Sequence, residues 1–80
     1  MQRVPRAVIL INTNVGTEDE VLNQLKQIPE VREAYITYGI YDIVAIIEAE
    51  KFDELRSVVV NKIRKLPNVK STTTLIVVEK

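Results

Sequence analysis

Two stretches of the chain repeat one another. LKQIPEVREAYIT (residues 25–37) and IRKLPNVKSTTTLIV (residues 63–77) each pass from the end of an apolar-periodic segment, through an apolar-Pro-x-Val step, into a strand-like run. Proline cannot continue a helix and biases its predecessor toward extended backbone, so each step reads as helix, stop, strand. A β-branched, apolar segment precedes each copy, at residues 7–13 and 43–49. Two strand–helix–strand units in 80 residues leave few ways to close a sheet.

The individual elements sharpen this. Asn14-Val15-Gly16 breaks the first strand, and Thr17-Glu18-Asp19-Glu20 reads as a capping box, with Thr17 on the amide near Glu20 and Glu20 reaching back. Val21, Leu22, Leu25 and Ile28 then recur at helical spacing up to Pro29. A second strand is expected over residues 31–38, and Gly39-Ile40 has the length of a two-residue hairpin with glycine at its first central position. The second helix covers residues 52–66, with Phe52, Leu55, Val59, Ile63 and Leu66 on one face. Its acids (Asp53, Glu54) come first and its bases (Lys62, Arg64, Lys65) last, as the helix dipole favours. A fourth strand follows over residues 70–78. The order β-α-β-β-α-β predicts an α+β, ferredoxin-like split βαβ, a four-stranded antiparallel sheet with both helices on one face and the first and third strands central. Residues 1–80 form a single domain.

Composition removes several function classes. Eleven basic and eleven acidic side chains cancel, so the electrostatic footprint of a nucleic-acid or membrane-surface binder is missing. The chain has no cysteine and no histidine, hence no disulfide, no thiolate or imidazole metal ligand and no common general base near neutral pH. No catalytic residue, metal site or cofactor is expected, because nothing supplies the second group of a dyad to Asp42 or Lys51. The N-terminal MQRVPRAVILIN has two arginines and an apolar run, but the run is too short for a signal peptide and no small-residue cleavage site follows. No segment approaches the roughly 18 apolar residues of a spanning helix. The expected location is the cytoplasm.

Helices on one face leave the other face of the sheet open, and that face does not read as wet. Ile43, Ala45, Ile47 and Ala49 are apolar throughout and belong on the helix side. The alternate set places Val44 and Ile46 between Asp42 and Glu48, and in the first strand Val8 and Leu10 between Arg6 and Asn12. Four central aliphatics make a larger patch than soluble monomers usually expose, and each is worth about 1.5–3 kcal/mol when buried. Val8, Leu10, Val44 and Ile46 are therefore expected at an oligomer interface, a dimer through the sheets with closed symmetry. RNA binding through this face is not expected, since the aromatics that stack bases are missing from its centre.

Asp42 stands where the third strand begins, and two uses are open to it. It can cap a turn amide, or, partly desolvated beside an interface, it can pair with a cation. The amine of a small ligand would serve, with the amides of Gly39 and Ile40 on an opposing carboxylate. Ser71-Thr72-Thr73-Thr74, taken alone, reads as a soluble edge strand.

Together, Gly39-Ile40-Tyr41-Asp42-Ile43-Val44-Ala45, Glu48-Ala49, Leu66-Pro67-Asn68-Val69, Thr72-x-Thr74 and Ile76-Val77-Val78 resemble the effector domain of the Lrp/AsnC feast/famine regulators, the RAM domain. The resemblance runs from about Ala7 to Val78. Asn68 stands where glycine is common in the family, a departure that a turn asparagine tolerates. Family members usually begin with a helix-turn-helix domain, and nothing of that kind precedes the first strand here, so a stand-alone RAM protein without direct DNA binding is expected. The resemblance implies a non-enzymatic, amino-acid-sensing module that dimerises through its sheets and builds rings of dimers. It further implies that the effector lies at subunit interfaces, with Gly39, Ile40, Tyr41 and Asp42 as its loop and Thr72 and Thr74 as further lining. A full-length Lrp/AsnC regulator is the implied protein partner. The alternative is a structural partner subunit of such regulators with no effector of its own.

Overall fold

Alternation along the two central strands decides which face of the sheet is covered. A computed structural model describes residues 4–78. Its elements are β1 (Arg6–Thr13), α1 (Glu18–Leu25), β2 (Val31–Ile36), β3 (Ile43–Glu48), α2 (Phe52–Val58), continued without a break by a π-helical turn (Val59–Ile63), and β4 (Val69–Val77). The sheet order is β2-β3-β1-β4 with every neighbouring pair antiparallel, the expected ferredoxin-like arrangement. Ala7, Ile9 and Ile11 of β1 and Ile43, Ala45 and Ile47 of β3 are fully buried. They form one core with Val21, Leu25 and Ile28 from the first helical segment and Leu55, Val58, Val59 and Ile63 from the second. The period of 2 in the strands and near 3.6 in the helices thus converge on a single apolar layer.

Several local expectations are corrected. Thr17 makes no side-chain cap to α1. Its hydroxyl instead donates to the Asn14 carbonyl at 2.7 Å, and its N–H donates to the same oxygen at 3.1 Å. The turn through Gly16 (φ +83°) holds the hydroxyl back from the helix end, so the capping box does not form. β2 stops at Ile36 rather than Tyr38. Thr37 donates its N–H to the Asp42 carbonyl at 2.9 Å and its hydroxyl to the Tyr41 carbonyl at 2.8 Å. That closes a four-residue loop, Tyr38 to Tyr41, in place of the two-residue hairpin.

The second helix departs from plain α-geometry. The Arg64 N–H reaches the Val59 carbonyl at 2.8 Å, an i→i−5 bond. Val58 and Val59, three and four residues after Leu55 and so on its face, are both in the core, where only Val59 was expected. Phe52, assigned to the buried face, is 58% exposed. β4 runs from Val69 to Val77, one residue earlier at each end than expected. Asn68 turns the chain into it with φ +72°, the left-handed conformation that glycine or asparagine accepts. No helix among the described residues is long and apolar enough to cross a membrane.

Candidate functional site

Three surfaces hold the residues singled out above. The first is one pole of the sheet, where β1 and β2 end and β3 and β4 begin. Asp42 lies there in a bend just ahead of β3. Its Oδ2 accepts the Thr13 backbone N–H at 2.8 Å and, more weakly, the Thr13 hydroxyl at 3.4 Å. Its own N–H donates to the Ile11 carbonyl at 2.9 Å. The carboxylate therefore fastens the end of β1, at the point where the β1–β4 register shifts between Asn12 and Thr13. Thr13 is only 5% exposed, so its N–H needs this acceptor. Both bonds that the carboxylate accepts among the described residues fall on Oδ2, which leaves the Oδ1 edge to whatever approaches the pole.

Around Asp42 the pole is unexpectedly apolar. Val15 is 97% exposed, Ile40 83% and Tyr38 106%. Gly39 has φ +136°, a conformation that other residues rarely adopt, and it lets the loop fold back over Thr37. The N–H groups of Gly39 and Ile40 donate to no acceptor among the described residues. Beside them Asn14 and Asn68 are doubly bonded, backbone to backbone at 3.0 Å and side chain to side chain at 3.0 Å, which ties the β1 exit to the β4 entry.

The second surface is the uncovered face of the sheet. Val8 pairs with Ile46, and Leu10 pairs with Val44, so the four aliphatics are directly opposed across β1 and β3. Each is only half-buried. The outer strands widen the patch, with Leu75 opposite Val8 and Tyr35 opposite Val44. The Tyr35 hydroxyl donates to Glu33 at 2.6 Å, and that carboxylate raises the phenol above its ordinary pKa by holding its proton. Glu48 closes one rim, shared between Arg32 at 3.2 Å and Arg6 at 3.4 Å. The opposite rim is polar, with Asn12 near Ser71 at 3.4 Å.

The third surface is on the helix side. Thr72 is opposite Ile11 and Thr74 opposite Ile9, both buried under the helices, so the two threonines share that face rather than the open one. They line an open groove of about 540 Å³ between β4 and the second helix. Phe52, Val60 and Ile76 form its apolar lining, and Arg56 and Arg64 flank it. Asp42 is not among the residues of this groove.

One chain therefore brings Gly39, Ile40, Tyr41 and Asp42 together at the pole, and Thr72 and Thr74 together in the groove, but does not bring the two sets together. Thr13, Arg56 and Val60 were not singled out from the sequence, and Phe52 and Arg64 were read only as a buried helix position and a base complementing the helix dipole. The four-residue spacing of Phe52, Arg56, Val60 and Arg64 places them along one side of the helix and was available as a signal, but the π-turn between Val59 and Ile63, which sets the position of Arg64, has no sequence mark.

The comparisons with known proteins converge. A family model described as the Lrp/AsnC ligand binding domain matches residues 6–80. The HTH-type transcriptional regulator FL11 of Pyrococcus horikoshii is 36% identical over 73 residues, which is 91% of this chain and 48% of that protein. Regulatory protein AsnC of Escherichia coli K12 is 40% identical over 58 residues, 72% of this chain and 38% of that protein. Among solved structures, FFRP-DM1 superposes with a TM-score of 0.88 at 39% identity, covering 95% of this chain and 100% of that one. The chain thus spans about half the length, or less, of the curated relatives it matches.

Proposed function

Because the chain belongs to the Lrp/AsnC ligand-binding domain family, we propose that it is a non-enzymatic regulatory module that oligomerises through its open sheet face and binds a small amino acid between copies. The observation that carries this reading is the separation of the two half-sites. The pole offers a carboxylate edge and two unused amides, groups complementary to an α-amine and an α-carboxylate. The groove offers hydroxyls and an apolar lining for a side chain. A ligand touching both would draw one from each of two copies, and its binding would then be linked to assembly. The exposed apolar tips at Val15, Tyr38 and Ile40 give a neighbouring copy something to cover at that pole.

In this reading the signal passes by assembly with a full-length Lrp/AsnC regulator, without direct DNA or RNA contact by these residues. The relatives matched are transcriptional regulators, which supports a role without catalysis. A second reading rests on one observation, that Asp42 already serves Thr13. Asp42 would then be purely structural and the chain a partner subunit with no effector.

A thermal-shift panel of the twenty amino acids on the purified oligomer separates the two. A ligand at 100 times its dissociation constant adds about 2.7 kcal/mol, so one chemical class should raise the melting temperature in wild type and lose that effect in Asp42→Asn. No shift from any amino acid would favour the structural partner.

A further inference from the structure

The side chain that the groove accepts is a separate question from whether an amino acid binds at all. Resting on the effector-binding reading, we infer that the groove between β4 and the second helix selects an effector with a carboxylate side chain, an acidic amino acid of the aspartate or glutamate type. Arg56 and Arg64 both flank the groove that Thr72 and Thr74 line, and the ion pairs found among the described residues involve neither arginine. Asp53, at the α2 start of the same groove, is its single carboxylate, so two guanidinium groups face one acid. Arg64 and Thr72 also border a smaller polar recess that contains Lys70, which adds a third cation at that end. The local field is therefore positive on a chain whose formal net charge is zero.

The backbone explains why these groups meet. In a regular α-helix, successive residues advance by about 100°. Phe52, Arg56 and Val60, four residues apart, follow one side of the helix. The i→i−5 bond from Arg64 to Val59 adds a residue to the next turn, which offsets the drift of that row and keeps Arg64 beside β4 while Val59 and Ile63 remain in the core. Guanidinium groups bind carboxylates in a two-pronged fork, and threonine hydroxyls can donate to the same oxygens. The apolar lining suits the one or two methylenes that separate a side-chain carboxylate from its α-carbon. A lysine-type effector would place an ammonium against two guanidinium groups. A leucine-type effector would leave them with no partner.

The test is calorimetric titration of the intact oligomer with glutamate, aspartate, their uncharged isosteres glutamine and asparagine, lysine and leucine, repeated on Arg56→Gln, Arg64→Gln and the double variant. The expected result is that an acid binds wild type at least ten-fold more tightly than its amide. The double variant, with the same oligomer size and melting temperature, should bind acid and amide alike. Equal or tighter binding of an amide, lysine or leucine to wild type would overturn the acid selectivity and leave effector binding standing. Discrimination that survives in the double variant would overturn the role of the arginines. No binding by any of the six would overturn the inference, and silence across the full twenty would take the effector-binding reading with it.

Discussion

The Asp42 carboxylate is engaged within its own chain, accepting the Thr13 backbone N–H at 2.8 Å through Oδ2. Closing a strand end and meeting a ligand amine, the role proposed for Asp42, are two functions that mutation can separate. Asparagine retains an acceptor for Thr13 but loses the charge, whereas alanine loses both. Leaving a buried N–H unpaired costs about 1–3 kcal/mol. Chemical denaturation should therefore find Asp42→Ala destabilised by that amount and Asp42→Asn by less than about 1 kcal/mol. Effector binding should weaken at least ten-fold in both. A stable Asp42→Ala that still binds would remove Asp42 from both roles.

The open face makes an independent prediction. Val44 and Leu10 are paired at its centre and half-exposed, so a charge there should leave the folded monomer intact while disrupting a covered interface. Light scattering of Val44→Lys or Leu10→Asp should show a smaller particle at the same concentration, with an unchanged far-ultraviolet circular dichroism spectrum. Val15→Lys, at the pole, should leave the sheet-to-sheet dimer alone and affect only higher assembly. An unchanged particle size in the two face variants would refute packing through this surface.

Asn68 reports on the turn into β4. At φ +72° a β-branched residue is strained by about 1–3 kcal/mol, and Asn68→Val also loses the side-chain bond to Asn14. Its melting temperature should fall by several degrees. Asn68→Gly relieves the backbone and loses only the side-chain bond, so it should lie much closer to wild type. Equal losses in the two variants would show that the Asn14 contact, not the backbone, sets the cost.

One ion pair gives a pH dependence of known sign. Lys62 donates to both oxygens of Glu30, at 2.9 and 3.0 Å, and holds that carboxyl below its ordinary pKa. A depressed folded-state pKa contributes stability that is present above the unfolded value and is lost as pH falls through the folded one. The pair is solvent-accessible, so its contribution is at most about 1 kcal/mol. Lys62→Met should be slightly less stable than wild type near neutrality and should converge with it as pH falls through the depressed pKa of Glu30. A gap that persists in acid would mean that the lysine stem, rather than its charge, matters.

The sheet topology was legible because alternation is a local property. Ile43, Ala45 and Ile47 announce one face and Val44 and Ile46 the other, and the repeated Pro-x-Val step sets the connections. The open-face set was legible for the same reason. The loop at Gly39 was misread by two residues because its closure depends on Thr37 bonding to Tyr41 and Asp42, which spacing alone does not reveal. Phe52 was misplaced because it is the first residue of α2 and stays 58% exposed, and Val58 was missed because only one of the two residues that follow Leu55 by a helical turn was assigned to the core. The hydroxyls of Thr72 and Thr74 were located, but their face depended on register against β1. Thr13 went unnoticed since an amide that needs a partner is invisible until the strand ends are placed.

The central claim is that effector binding and assembly are linked, and particle mass tests it most directly. Size-exclusion chromatography with light scattering, run with and without each amino acid at millimolar concentration, reads both at once. The expected result is a multiple of the 9.1 kDa chain whose value or concentration dependence changes with one class of amino acid. A 9.1 kDa monomer indifferent to all twenty would contradict it.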